Sequence, residues 1–92
     1  PGEGPNKEKR DNGFFKILLN GYVDGNNISC TVTGDKDPGY SGTAIMLTES
    51  ALSITLNNEE IPKKFGVLTP ASAIGKKLIK RLKTKGIIFK VN

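Results

Sequence analysis

Two β-forming runs on either side of a turn signal constrain this chain more than any other feature of it. Phe14 to Val23 (FFKILLNGYV) is rich in aromatic and branched side chains. Ile28 to Thr33 (ISCTVT) alternates strictly, with Ile28, Cys30 and Val32 on one face and Ser29, Thr31 and Thr33 on the other. Between them Asp24-Gly25-Asn26-Asn27 tolerates positive φ, so the two runs are expected to form an antiparallel hairpin. Cys30 then points to the buried side and reads as a small core residue, because the chain has no histidine to activate it.

Two helices are expected after the hairpin. Asp37 reads as an N-cap and Pro38 as the first helical residue, opening a helix over 38–56. On a helical wheel Tyr40, Ala44, Leu47, Ala51 and Ile54 form one apolar stripe, and Ile45, Leu52 and Leu56 a second, whose only charge is Glu49. A few strands can bury one stripe, so the second implies further protein or another protomer. Residues 57–64 are polar and end in a proline break, which reads as a surface loop with a solvated Glu59-Glu60 pair. Phe65-Gly66-Val67-Leu68 reads as a short strand. Thr69-Pro70 repeats the cap-and-proline start, and Ala71, Ile74, Gly75, Leu78, Ile79 and Leu82 fall on one stripe of a second helix closed by Gly86. Ile87 to Val91 reads as the last strand.

These elements predict an α+β fold: an antiparallel hairpin plus two helices and short additional strands, part of a larger mixed-sheet domain. Residues 1–12 (PGEGPNKEKRDN) hold no apolar anchor and read as a polar linker with one helical turn after Pro5, leaving 13–92 as the folded segment. At 92 residues the core must be thin, since folding hides only roughly 60–65% of the surface that a chain of this size exposes. Pro1 in place of Met, with no charged stretch leading into an apolar run, reads as an excised or processed end without a signal peptide. One cysteine allows no internal disulfide, which fits an intracellular, reducing compartment and makes the Asn27-Ile28-Ser29 sequon accidental.

The net charge of +5 is local. Lys76, Lys77, Lys80, Arg81, Lys83 and Lys85 supply six positive charges in one short segment, so the remainder is slightly acidic. All six are assigned to the solvated face of the second helix. Lys76, Lys77, Lys80 and Lys83 make a candidate anion-binding face, and a module binding anionic lipid or another polyanion is the alternative function. No aromatic residue interleaves with these cations to stack on bases, which disfavours nucleic acid as a partner.

Catalytic chemistry is hard to assemble from these residues. The only G-x-G, Gly2-Glu3-Gly4, lies in the polar segment ahead of Pro5, so no dinucleotide cradle is expected. Gly75-Lys76 lacks both the leading glycine and the Ser or Thr of a phosphate loop. Without histidine and with one cysteine, the usual zinc sets and Ser-His-Asp chemistry are excluded from this chain alone. No catalytic, metal or cofactor-binding residue is nominated.

A set of short motifs carries a family resemblance. Gly2-Glu3-Gly4-Pro5, Asp37-Pro38-Gly39-Tyr40 with Thr43-Ala44, Met46-Leu47 and Glu49-Ser50-Ala51-Leu52, then Gly66-Val67-Leu68-Thr69-Pro70-Ala71 and Gly86-Ile87 with Phe89 and Val91 occur in that order. Together they resemble the C-terminal end of the saccharopine dehydrogenase-like oxidoreductases. That resemblance implies a parent with an N-terminal domain for NAD or NADP, a second α+β domain forming the substrate cleft and a homodimer, and lipid association as an open option. It implies that this segment is not catalytic alone. Relatives on the dehydrogenase-like branch include trans-acting enoyl reductases of lipid synthesis, so the resemblance leaves the reaction open. Asp37, Gly39, Tyr40 and Thr43 are the residues it nominates, as a cleft- or interface-lining corner.

Overall fold

The computed structural model describes residues 2–92; Pro1, and with it the expected processed end, lies outside them. The hairpin forms as expected. Strand β1 (Phe15–Val23) pairs antiparallel with β2 (Asn26–Gly34) in unbroken register from Phe15 opposite Gly34 to Val23 opposite Asn26. The turn is two residues long. Asp24 (φ 49°) and Gly25 (φ 78°) both take left-handed conformations, the turn whose twist matches that of the strands it joins. Strand β3 (Ile87–Val91) pairs antiparallel with the other side of β2, which gives a three-stranded sheet in the order β1-β2-β3.

Directly opposed residues share a face, so Phe15, Ile17 and Leu19 lie on the same side as Cys30, Val32, Ile87 and Phe89. Four helices complete the α+β fold: α1 (Lys7–Asp11), α2 (Ser41–Leu56), α3 (Pro70–Ile74) and α4 (Lys76–Lys83), with a 3-10 turn at Asn58–Glu60. Helix α1 is the turn expected after Pro5, and the Asn6 side chain caps it by accepting from the Lys9 N–H. Helix α4 packs on β3, and α2 packs on α4. The buried core is correspondingly small: Val32 and Ile87 from the sheet against Ile74, Leu78 and Leu82 from α3 and α4.

Three expectations about elements are corrected. Helix α2 begins at Ser41, because Pro38-Gly39-Tyr40 forms a separate turn ahead of it. The second helix is two helices: Gly75 adopts φ 66° and ψ −137°, a backbone region that α-helix cannot use, and splits α3 from α4. Phe65 to Leu68 is an exposed loop and not a strand, with both Phe65 and Val67 almost wholly in solvent. An isolated apolar run becomes a strand only where a sheet edge accepts its backbone groups, and this run meets none.

The packed face of α2 also differs from either apolar stripe. Its buried residues are Gly42, Glu49 and Ser53, with Met46 partly buried among them at helical spacing. The first stripe faces outward, Leu47 being 71% exposed and Tyr40 and Ile54 about half exposed. Of the second stripe, Ile45 and Leu52 are half-buried and Leu56 is exposed.

Candidate functional site

The nominated corner is held together by local bonds. The Asp37 carboxylate accepts from the Tyr40 N–H at 2.8 Å, and the Asp37 carbonyl accepts from the Gly42 N–H at 2.7 Å. The Thr43 hydroxyl donates to the Pro38 carbonyl. Asp37 therefore caps the Pro38-Gly39-Tyr40 turn and, through its main chain, the first turn of α2. A tight backbone approach occurs at Gly42, where a Cβ would lie 2.9 Å from the Asp37 carbonyl oxygen. At Gly39 a Cβ would come no closer than 3.6 Å to Asp37.

The corner has a second layer that the sequence reading treated as a linker. The Asp37 N–H donates to the Arg10 carbonyl at 3.3 Å, and Gly4 sits so close to the Tyr40 ring that a Cβ there would approach Cε2 to 2.8 Å. The polar segment after residue 2 is thus folded back on the corner, and two motifs far apart in sequence, Gly2-Glu3-Gly4-Pro5 and Asp37-Pro38-Gly39-Tyr40, meet. The signal for this was Gly4 itself, a residue without a side chain opposite an aromatic ring.

Beside the corner the sheet and α2 leave an open apolar groove of about 520 Å³, lined by Phe15, Ile17, Leu19, Pro38, Met46 and Phe89 among others. Phe89 also borders a smaller groove of about 320 Å³ along α3 and α4, with Lys76 at its rim. No polar group projects into the larger groove, so it can hold apolar surface or an apolar chain but offers no acid or base.

The six cations do not share one solvated face. Arg81 turns toward α2, where its Nε donates to the Glu49 carboxylate at 2.7 Å and a terminal nitrogen donates to Asn57 Oδ1 at 3.2 Å. Lys77 pairs with Glu60 at 2.7 Å, and this hydrogen bond holds the Glu60 carboxyl below the usual glutamate range. Of the four lysines nominated for anion binding, Lys76, Lys80 and Lys83 remain exposed and Lys77 is engaged. Glu59 and Glu60 are both exposed, as expected of a solvated pair, and Glu60 in addition ties the 3-10 turn to α4.

Among the described residues no group of three or more His, Cys, Asp or Glu side chains could hold a metal ion. No helix among them is long and apolar enough to cross a membrane. Gly75, at positive φ, separates two helices and does not follow a strand, so Gly75-Lys76 does not form a strand-to-helix phosphate-binding turn.

No family model and no solved structure matches the chain. It is 34% identical over 88 residues to a candidate trans-acting enoyl reductase of Mycobacterium tuberculosis, a match covering 95% of this chain and 21% of the relative. It is 33% identical over 89 residues to a protein of Mycobacterium ulcerans named trans-acting enoyl reductase, covering 96% of this chain and 21% of that one. A trans-acting enoyl reductase of Mycobacterium bovis is 30% identical over 90 residues, covering 97% and 21%. The chain spans about a fifth of the length of these curated relatives. These names correct the saccharopine dehydrogenase assignment. The chain is similar to proteins named as enoyl reductases, and the expected function as a piece of a saccharopine dehydrogenase-like enzyme falls with that assignment.

Proposed function

We propose that this chain is a structural segment of an oxidoreductase of the trans-acting enoyl reductase type, and that it shapes the protein's fold and cleft without performing the chemistry. The observation that carries this reading is the match over 95% of the chain to relatives so named, joined to an apolar groove beside the corner whose lining includes no acid or base. An enoyl reductase adds a hydride to the β-carbon and a proton to the α-carbon of a conjugated carbonyl compound. NADH or NADPH is the hydride donor we assign to the whole protein, held by residues other than 2–92.

Within that protein the chain's part is mechanical. Asp37, Thr43 and the Gly4–Tyr40 contact set the direction in which α2 leaves the sheet, and so fix the wall of the apolar groove formed by Pro38 and Met46. The test compares the 92-residue chain with the longer polypeptide that carries it, each mixed with NADPH and an enoyl thioester. The long form is expected to consume NADPH and the chain alone to be silent in turnover and in its amide spectrum. Turnover by the chain alone, or a saturable amide shift at micromolar dinucleotide, overturns the reading.

A further inference from the structure

Strand β1 is an edge of the sheet, and it lacks the guards by which edges are kept from pairing. It runs for nine residues without a bulge or a proline, and Lys16 is its only charge. Apolar side chains stand out on both of its faces: Ile17 is 50%, Leu18 60% and Leu19 51% exposed. The opposite edge, β3, is short and carries Lys90 within five residues.

We propose that β1 is a self-association edge: two copies of this chain pair their β1 strands antiparallel about a two-fold axis at Leu19, joining two sheets into one. The charge pattern of the strand selects this occupant. Only a register centred on Leu19 pairs all nine residues of one β1 with all nine of the other. That register opposes Phe15 to Val23, Ile17 to Gly21 and Leu18 to Asn20, and nowhere sets like charges against each other. It sets Lys16 opposite Tyr22 of the second copy, two positions from that copy's Asp24 at the start of its turn, so the strand's cation and the turn's anion are brought near each other twice across the axis. Neither Lys16 nor Asp24 has an ion-pair partner among the described residues of its own chain. Self-pairing also places the two apolar grooves side by side, so that Ile17 and Leu19 of each copy cover those of the other.

The test uses the 92-residue chain and rests on no assumption about enoyl reduction. Sedimentation over a wide concentration range is expected to show a monomer–dimer equilibrium. Leu19→Lys, which sets two ammonium groups opposite each other on the axis, should raise the dimer dissociation constant on the order of a hundredfold or more. Leu47→Lys, an equally apolar loss on the outer face of α2, should leave it unchanged. A second pair of variants does not depend on tolerating a lysine. In a Cys30→Ser background, needed because Cys30 is the in-chain register partner of Leu19, Leu19→Cys should cross-link to its copy under a mild oxidant. Opposed Cα atoms in antiparallel pairs lie about 4.5–5.5 Å apart, within disulfide reach. Leu47→Cys should not cross-link. A wild-type chain that stays monomeric, a Leu19→Lys dimer of unchanged strength, or no cross-link at position 19 overturns the proposal, the first of these leaving the edge to a strand from a different polypeptide.

Discussion

The guanidinium of Arg81 lies 2.7 Å from the carboxylate of Glu49, and Glu49 is only 4% exposed. The two residues are 32 positions apart, and their contact pins α2 to α4 along a face that has little apolar surface of its own. Removing the cation leaves a buried charge without a partner. Arg81→Met is expected to destabilise the fold by about 2–4 kcal/mol, and adding Glu49→Leu to it should recover most of that loss. Urea unfolding of the two single variants and the double variant measures the cycle. A loss for Arg81→Met below about 0.5 kcal/mol, the size of an ordinary surface change, contradicts a structural pair.

Glycine tolerance should differ sharply within the corner. Gly39→Ala is expected within about 0.5 kcal/mol of the wild type, because a Cβ there stays 3.6 Å from its nearest neighbour. Gly42→Ala should cost about 1–3 kcal/mol, since its Cβ would press on the Asp37 carbonyl oxygen at 2.9 Å. Gly75→Ala belongs with Gly42→Ala in size for a different reason: the space is open, but the φ of 66° and ψ of −137° strain any side-chain-bearing residue. Thermal melts of the three variants rank them.

Asp37 is expected to behave as a cap. Asp37→Ala should lose about 1 kcal/mol and Asp37→Asn should retain most of it, because an amide oxygen can still accept from the Tyr40 N–H. An equal loss in both variants would mean that the charge, and not the hydrogen bond, is what the corner uses. Chemical denaturation of the pair distinguishes the two.

The Lys77–Glu60 pair gives stability a pH dependence on the acid side. Glu60 has its carboxyl lowered by the Lys77 hydrogen bond, so its contribution is present above the ordinary glutamate range and is lost as pH falls through the lowered value. Glu60→Gln should therefore lower the melting temperature above about pH 5, change it little below about pH 3, and so flatten part of the fall between them. Parallel curves for the two proteins across the window would show that the pair contributes nothing.

How much of this was legible in the sequence follows from the range over which each signal acts. The hairpin and its turn, the last strand, the turn after Pro5 and the cap at Thr69 are decided within a few residues, and each appears where its residue types place it, whereas Asp37 caps a turn ahead of α2 instead of the helix start expected at Pro38. The candidate corner was legible in part. Asp37 and Thr43 serve it as local bond-formers, whereas Gly4 joins it only because the chain folds back over Tyr40. The basic face was half legible: the lysines are there, but no periodicity announces that Lys77 and Arg81 find carboxylates on other elements.

By itself, then, the sequence determined the α+β class, the hairpin and the segments that turn helical, though not their exact bounds, because φ preferences and side-chain alternation act locally. Tertiary structure alone decided which side of α2 is buried. Apolar count favours the Leu47 stripe, yet Gly42, Met46, Glu49 and Ser53 face inward, since small residues let α4 approach and Arg81 neutralises the one acid that the approach buries. It also decided that Phe65 to Leu68 remains a loop, and that β1 ends the sheet with its apolar edge open. A strand exists only where another strand accepts its hydrogen bonds, and that is a property of the neighbours a segment finds in space.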